Sequence, residues 1–322
     1  MRLGRDYTNC LAFDYLTEEE KLDVIYGRVD LSSLSAISLA RAKMDVERQI
    51  EMTQELGFHH VELDADPPNP YLEFDSSRRR VILEAAESHG ITLSLHLPYS
   101  YTGGSVCCPQ EDDRAVAVEL HKKCVKFASD IGARYVTMHP GSVPPYHRIG
   151  KYRELAEKAL IRSLIEVGSF ARDLGLVLCL ENNTAFDDVF SEPEDCLRVI
   201  EEARGHDVDV YLNFDIGHWF TRLDVGKPVP EPPENVISSL PPNVLKELHL
   251  NDYVPGERMF HPPLHLEWGL LKRGNLERYA RIVKQKGVEV IVLETAMKSI
   301  GQVLERYELL KAESQYILDI FG

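Results

Sequence analysis

Leu174-Gly-Leu-Val-Leu-Cys-Leu-Glu181 is a short apolar run that opens just after a leucine-glycine step and closes on a carboxylate. The run is too short for a helix and is not alternating, so it reads as a strand buried on both faces, the habit of parallel sheets. The stretch before it, 151–174, has helical periodicity, and Gly175 is the stop expected where a helix turns back into a strand. The same unit recurs. Apolar runs occupy 58–63, 91–96, 134–139, 176–181, 210–215, 245–250 and 288–294, with 9–13 as the first candidate. Helical stretches at 41–56, 77–89, 111–131, 151–174 and 276–286 lie between them, and Gly57, Gly90, Gly132, Gly175 and Gly287 punctuate the returns.

Eight strand–helix units in 322 residues predict an α/β fold, a single-domain (β/α)8 TIM barrel over 1–322. An open doubly wound sheet is the alternative, but no Gly-x-Gly-x-x-Gly or Walker-type loop supports it. Residues 14–40 read as an insertion after the first strand. Residues 97–110 and the proline-rich 223–242 read as loops of the barrel mouth.

Composition narrows the function classes. The formal net charge is -16, which counts against a long polyanion such as DNA as partner, although bound cations would offset it locally. No run reaches the ~18 apolar residues of a membrane span. The opening Met-Arg-Leu-Gly-Arg-Asp has no signal-like apolar stretch, and the six cysteines form no Cys-x-x-Cys pair, so a cytoplasmic location is the expectation.

Chemistry concentrates at strand ends. The third to eighth runs finish on or within a residue of His96, His139, Glu181, Asp215, His249 and Glu294. In a βα barrel these ends converge on one mouth. A lone histidine or carboxylate there is an ordinary hydrogen-bonded residue; six on one face are not. Three imidazoles with three carboxylates suit Zn2+ or Mn2+ and are too many for one open catalytic ion, so two divalent ions sharing Glu181 are expected. His218, in Asp-Ile-Gly-His, and His265, in His-Leu-Glu-Trp-Gly, are further candidates for substrate or ion contacts.

The ordered segments His96-Leu-Pro-Tyr99, His139-Pro-Gly-Ser142, Leu180-Glu-Asn-Asn-Thr184, Asp215-Ile-Gly-His218, His249-Leu-Asn-Asp252 and Leu293-Glu-Thr295 resemble the endonuclease IV family of abasic-site endonucleases, within the xylose isomerase-like barrels. The resemblance implies His96 and His139 on one zinc, Glu181 bridging, and Asp215, His249 and Glu294 on the second. His218 and His265 would match two ligands of that family's third zinc, and Tyr99 a substrate-facing position. The family places an aspartate two residues before the last histidine; Pro263 stands there before His265, which argues against a third ion.

Two reactions follow. One is phosphoester hydrolysis by two ions, with His218 and His265 assisting, on a small sugar phosphate or a phosphodiester. The other is isomerisation or epimerisation of a sugar or sugar phosphate, with Glu181 and Glu294 exchanging the proton. A non-catalytic metal- or ligand-binding barrel is the third reading.

Overall fold

The computed structural model describes residues 1–322 and contains the eight-stranded parallel barrel. In chain order the strands are β1 (Arg2–Arg5), β2 (His60–Asp64), β3 (Thr92–His96), β4 (Tyr135–Met138), β5 (Val177–Glu181), β6 (Val210–Asp215) and β7 (Leu245–His249). A small antiparallel hairpin, β8 (Tyr253–Val254) with β9 (Met259–Phe260), precedes β10 (Val290–Leu293). β1 closes the barrel between β10 and β2. No helix is long and apolar enough to cross a membrane, and all six cysteines are free.

The five punctuating glycines behave as their positions require. Gly57, Gly90, Gly132, Gly175 and Gly287 all have positive φ, between 65° and 76°, where a side chain would be strained. The helices they end match the periodic stretches closely, as with Ser76–His89 and Gly150–Asp173.

Two expectations need correction. The first strand is not 9–13, which forms turns and a 3-10 segment at Ala12–Tyr15; it is Arg2–Arg5. Its charged ends hid it. Arg5 is fully buried because Glu313, on the last helix (Arg306–Phe321), pairs with it at 2.9 Å and Thr295 accepts a second bond at 2.8 Å. Gly4 is required by the close approach of β2, since a Cβ there would lie 2.6 Å from the His60 carbonyl oxygen. The second correction is that the helix at 41–56 is two. Leu31–Met44, which includes the end of the 14–40 insertion, stops at Asp45, and Asp45 then caps Val46–Glu55 by accepting from Arg48 N.

Most of the core is apolar, but part of the barrel interior is not. Glu62, Ser94, Thr137, Asn213 and Glu247 are all wholly buried. A buried polar group without its partner costs roughly 1–3 kcal/mol, so this layer needs a compensating reason.

Candidate metal centre

All eight barrel strands deliver a polar side chain to the mouth. β2, β3, β5, β6 and β7 end on Asp64, His96, Glu181, Asp215 and His249. β1, β4 and β10 are followed directly by Asp6, His139 and Glu294. The six strand-end residues singled out from the sequence are thus brought together. Asp6 and Asp64 obey the same rule and were missed, the first because its strand was misplaced.

Glu181 is the hub, wholly buried. Its Oε2 lies 3.2 Å from His96 Nε2, 3.6 Å from His139 Nε2 and 3.4 Å from His249 Nδ1, and its Oε1 lies 3.1 Å from His218 Nδ1. Both upstream imidazoles are turned by a backing hydrogen bond. His96 Nδ1 donates to the Leu97 carbonyl at 3.1 Å. His139 Nδ1 lies 3.3 Å from Asn183 Oδ1, while the Asn183 amide nitrogen donates to the carbonyls of Gly141 and Val189. Each ring therefore presents Nε2 to Glu181, the tautomer and orientation a metal ligand needs.

A second group joins Glu181, Asp215, His249 and Glu294, whose donor atoms all lie within 4.8 Å of one another. His249 Nδ1 is 3.2 Å from Glu294 Oε2 and 3.9 Å from Asp215 Oδ2. The Asn251 amide spans the two carboxylates, 2.6 Å from Asp215 and 2.7 Å from Glu294, and its oxygen accepts from Glu294 N. Asn182 fixes the Asp215 backbone through both its N–H and its carbonyl.

A third group is Asp215, His218 and His261. His261 was not singled out from the sequence; His265 was, and it does not join the mouth. Pro262 and Pro263 separate them, and the 3-10 turn Leu264–Leu266 carries His265 toward the last helix, where Leu264 N donates to Glu313 at 2.6 Å. His261, at φ 50°, instead places Nε2 3.7 Å from Asp215 Oδ2. The residue two before the mouth histidine is therefore Met259, not Pro263. Neither supplies the carboxylate expected from the endonuclease IV pattern, so the third group has Asp215, shared with the second, as its sole carboxylate.

Charge in the cluster is held in balance by imidazolium. Burial opposes protonation of His96, but the hydrogen bond and charge of Glu181 raise it to about 10. Burial likewise opposes His218, which Asp215 and Glu181 raise to about 9. Burial pushes His139 and His261 down. Glu181 and Glu294 are lowered against burial, chiefly by His249. Glu62 Oε1, Glu181 Oε1, both ring nitrogens of His249 and His261 Nε2 are buried without a hydrogen-bond partner. A nitrogen and oxygen donor set with orphaned buried atoms fits divalent cations such as Zn2+ or Mn2+.

The cleft above the centre has a volume of about 320 Å³ and is lined by no lysine or arginine. Asp6, Asn9, Asp64, Ser142, Thr184 and Asp187 supply hydrogen-bonding groups beside the cluster, and Tyr99, 45% exposed, stands at its rim. The helix Leu31–Met44 shapes this wall. Lys43, wholly buried, pairs with Asp64 at 2.9 Å and donates to the Asp66 carbonyl at 2.6 Å; the Asp66 carboxylate accepts from Tyr99 N and Ser100 N. Asp6 lacks such a cation, and burial together with Asp64 raises it to about 7.

A sequence profile described as Xylose isomerase-like TIM barrel matches residues 50–318. The chain belongs to that family. Within it, the chain is 28% identical over 153 residues to a protein named probable endonuclease 4 from Thermotoga petrophila, covering 46% of this chain and 50% of that one. The chain thus spans about half the length of the curated relatives it matches. Among solved structures, D-psicose 3-epimerase from Clostridium cellulolyticum H10, described with D-tagatose, aligns at 15% identity with a TM-score of 0.68, over 100% of this chain and 98% of that one. The IOLI protein, described with a bound zinc atom, aligns at 14% identity with a TM-score of 0.65, over 100% of this chain and 98% of that one. At these identities the structural likeness shows the family's fold.

Proposed function

We propose that the protein is a divalent-metal-dependent phosphoester hydrolase acting on a small, polyhydroxylated phosphoester of the sugar-phosphate class. One observation carries the reading: His96 and His139, on different strands and with different backing partners, both direct Nε2 at Glu181 Oε2, at 3.2 and 3.6 Å. A one-ion isomerase has no use for that pair. His96, His139 and Glu181 would hold one ion; Glu181, Asp215, His249 and Glu294 would hold the other. Bound there, two such ions would provide Lewis-acid activation of a water and would offset charge developing on phosphorus.

The remaining residues hold the substrate. His218, at the edge of the cluster, can hydrogen-bond a phosphoryl oxygen. Asp64, Asn9 and Thr184 can accept from or donate to hydroxyls, and Tyr99 can cover an apolar sugar face. A cleft with three aspartates beyond the metal cluster and no basic lining residue favours a small substrate over DNA.

Metal-dependent isomerisation or epimerisation of a sugar, with Glu181 and Glu294 as base and acid, is the second reading. The basic-free, hydroxyl-binding cleft and the full-length likeness to an epimerase favour it. A parallel assay with a sugar phosphate, a generic phosphodiester, an abasic-site duplex and a panel of ketoses decides. Release of phosphate, abolished by His96→Ala, supports the hydrolase. Turnover of a ketose that survives His96→Ala overturns it.

A further inference from the structure

The polar layer inside the barrel lies directly beneath the metal cluster. Glu62 Oε1 is 2.9 Å from His249 Nε2, and neither side chain has any exposed surface. Glu62 Oε2 accepts from the Ser94 hydroxyl at 2.9 Å, and Ser94 Oγ lies 2.9 Å from His60 Nε2. Ser94 has one hydroxyl proton and gives it to Glu62, so His60 Nε2–H must donate to Ser94. Glu62 then receives from below and has Oε1 left for the imidazole above. His249 has one nitrogen on each side, Nε2 toward Glu62 and Nδ1 toward Glu181, Asp215 and Glu294.

We propose that Glu62 is a positioning residue for His249: the 2.9 Å ion-pair contact of its Oε1 with Nε2, which is not aligned as a hydrogen bond, holds the ring so that Nδ1 faces an ion shared with Glu181, Asp215 and Glu294. A neutral imidazole can offer only one nitrogen to a cation, and a carboxylate on the other nitrogen both selects it and makes it more basic. The column His60–Ser94–Glu62 thereby accounts for three of the buried polar residues of the barrel interior. It joins β2 and β3 to β7, so the ligand on one side of the mouth is aimed from strands on the other.

The inference rests on the metal-centre reading and not on which reaction the centre performs. Its test is zinc binding to the full-length, metal-stripped protein, followed by competition with a chromophoric chelator, alongside thermal unfolding of the metal-free form. The wild type is expected to take two ions. Glu62→Gln keeps the side-chain volume but removes the charge, and should weaken one of them about 10- to 100-fold while leaving the other and the metal-free unfolding temperature unchanged. His249→Ala should remove the same ion, and combining Glu62→Gln with His96→Ala should weaken both. Unchanged affinity for both ions in Glu62→Gln overturns the proposal, as does joint loss of both with a lowered metal-free unfolding temperature. If the wild type itself binds no zinc, the metal-centre reading fails instead.

Discussion

Asn183 Oδ1 faces His139 Nδ1 at 3.3 Å, and its amide nitrogen is tied to the carbonyls of Gly141 and Val189, so the asparagine cannot swivel and the histidine cannot turn. Asn183→Ala should therefore leave the fold intact while weakening the ion at His96 and His139 by roughly 10- to 100-fold. Chelator competition checks this; full affinity in the variant would show that His139 needs no partner.

Metal binding should release protons. Against burial, the hydrogen bond and charge of Glu181 raise His96 to about 10 in the metal-free protein, so it is protonated at pH 7. An ion requires the neutral imidazole, so protons and metal compete. The sign is definite: apparent zinc affinity rises as pH increases from 7 toward 9. Calorimetry at pH 7 in two buffers of different ionisation enthalpy should report proton release of about one or more per chain, and buffer-independent heats would sink the idea.

Lys43 and Asp64 should be coupled. Lys43 has no exposed surface and Asp64 little, so Lys43→Met leaves a largely buried carboxylate without its cation. The expected loss is about 3 kcal/mol, near the low end for broken buried pairs because Asp64 keeps some contact with solvent. Urea unfolding of Lys43→Met, Asp64→Asn and the double variant tests it. The double variant should lose less than the two single losses combined; strict additivity would deny the pairing.

Asp6 should impose a pH dependence on the metal-free protein. Its carboxyl is raised to about 7 in the fold by burial and by Asp64, from an ordinary value near 3.8. A raised folded value means that the native state holds the proton more tightly than the unfolded chain. The stabilisation is complete below pH 3.8 and is lost as pH rises through 7. Asp6→Asn should remove that slope, so its advantage over the wild type should grow from pH 5 to pH 8. Parallel unfolding curves at both pH values would contradict the assignment.

Much of this was legible in the sequence, and the failures share one cause. The runs ending at His96, Glu181, Asp215 and His249 are short, mostly apolar and flanked by helical stretches, so the pattern located them within a residue or two. β1 was not legible because Arg5 is acceptable in a strand only when Glu313, 308 residues away, is there to pair with it. His265 was singled out and His261 was not, because spacing cannot tell which way the Pro262-Pro263 segment sends the chain. The interior column was invisible for the same reason: Glu62, Ser94 and His249 are ordinary residues until the barrel closes around them.

The pairing of β1 with the far end of the chain has a consequence for biosynthesis. Arg2–Arg5 hydrogen-bonds to β10, and Arg5 waits for Glu313. During translation β1 can pair with β2 early, but its other edge and Arg5 lack β10 and Glu313, the latter 308 residues further on, until those segments have been made. Asp6 is thus the first site residue synthesised and among the last to reach its place. A nascent chain stalled before 290 would hold most of its metal-binding side chains beside an open seam, exposing the unpaired edges of β1 and β7 to neighbouring chains.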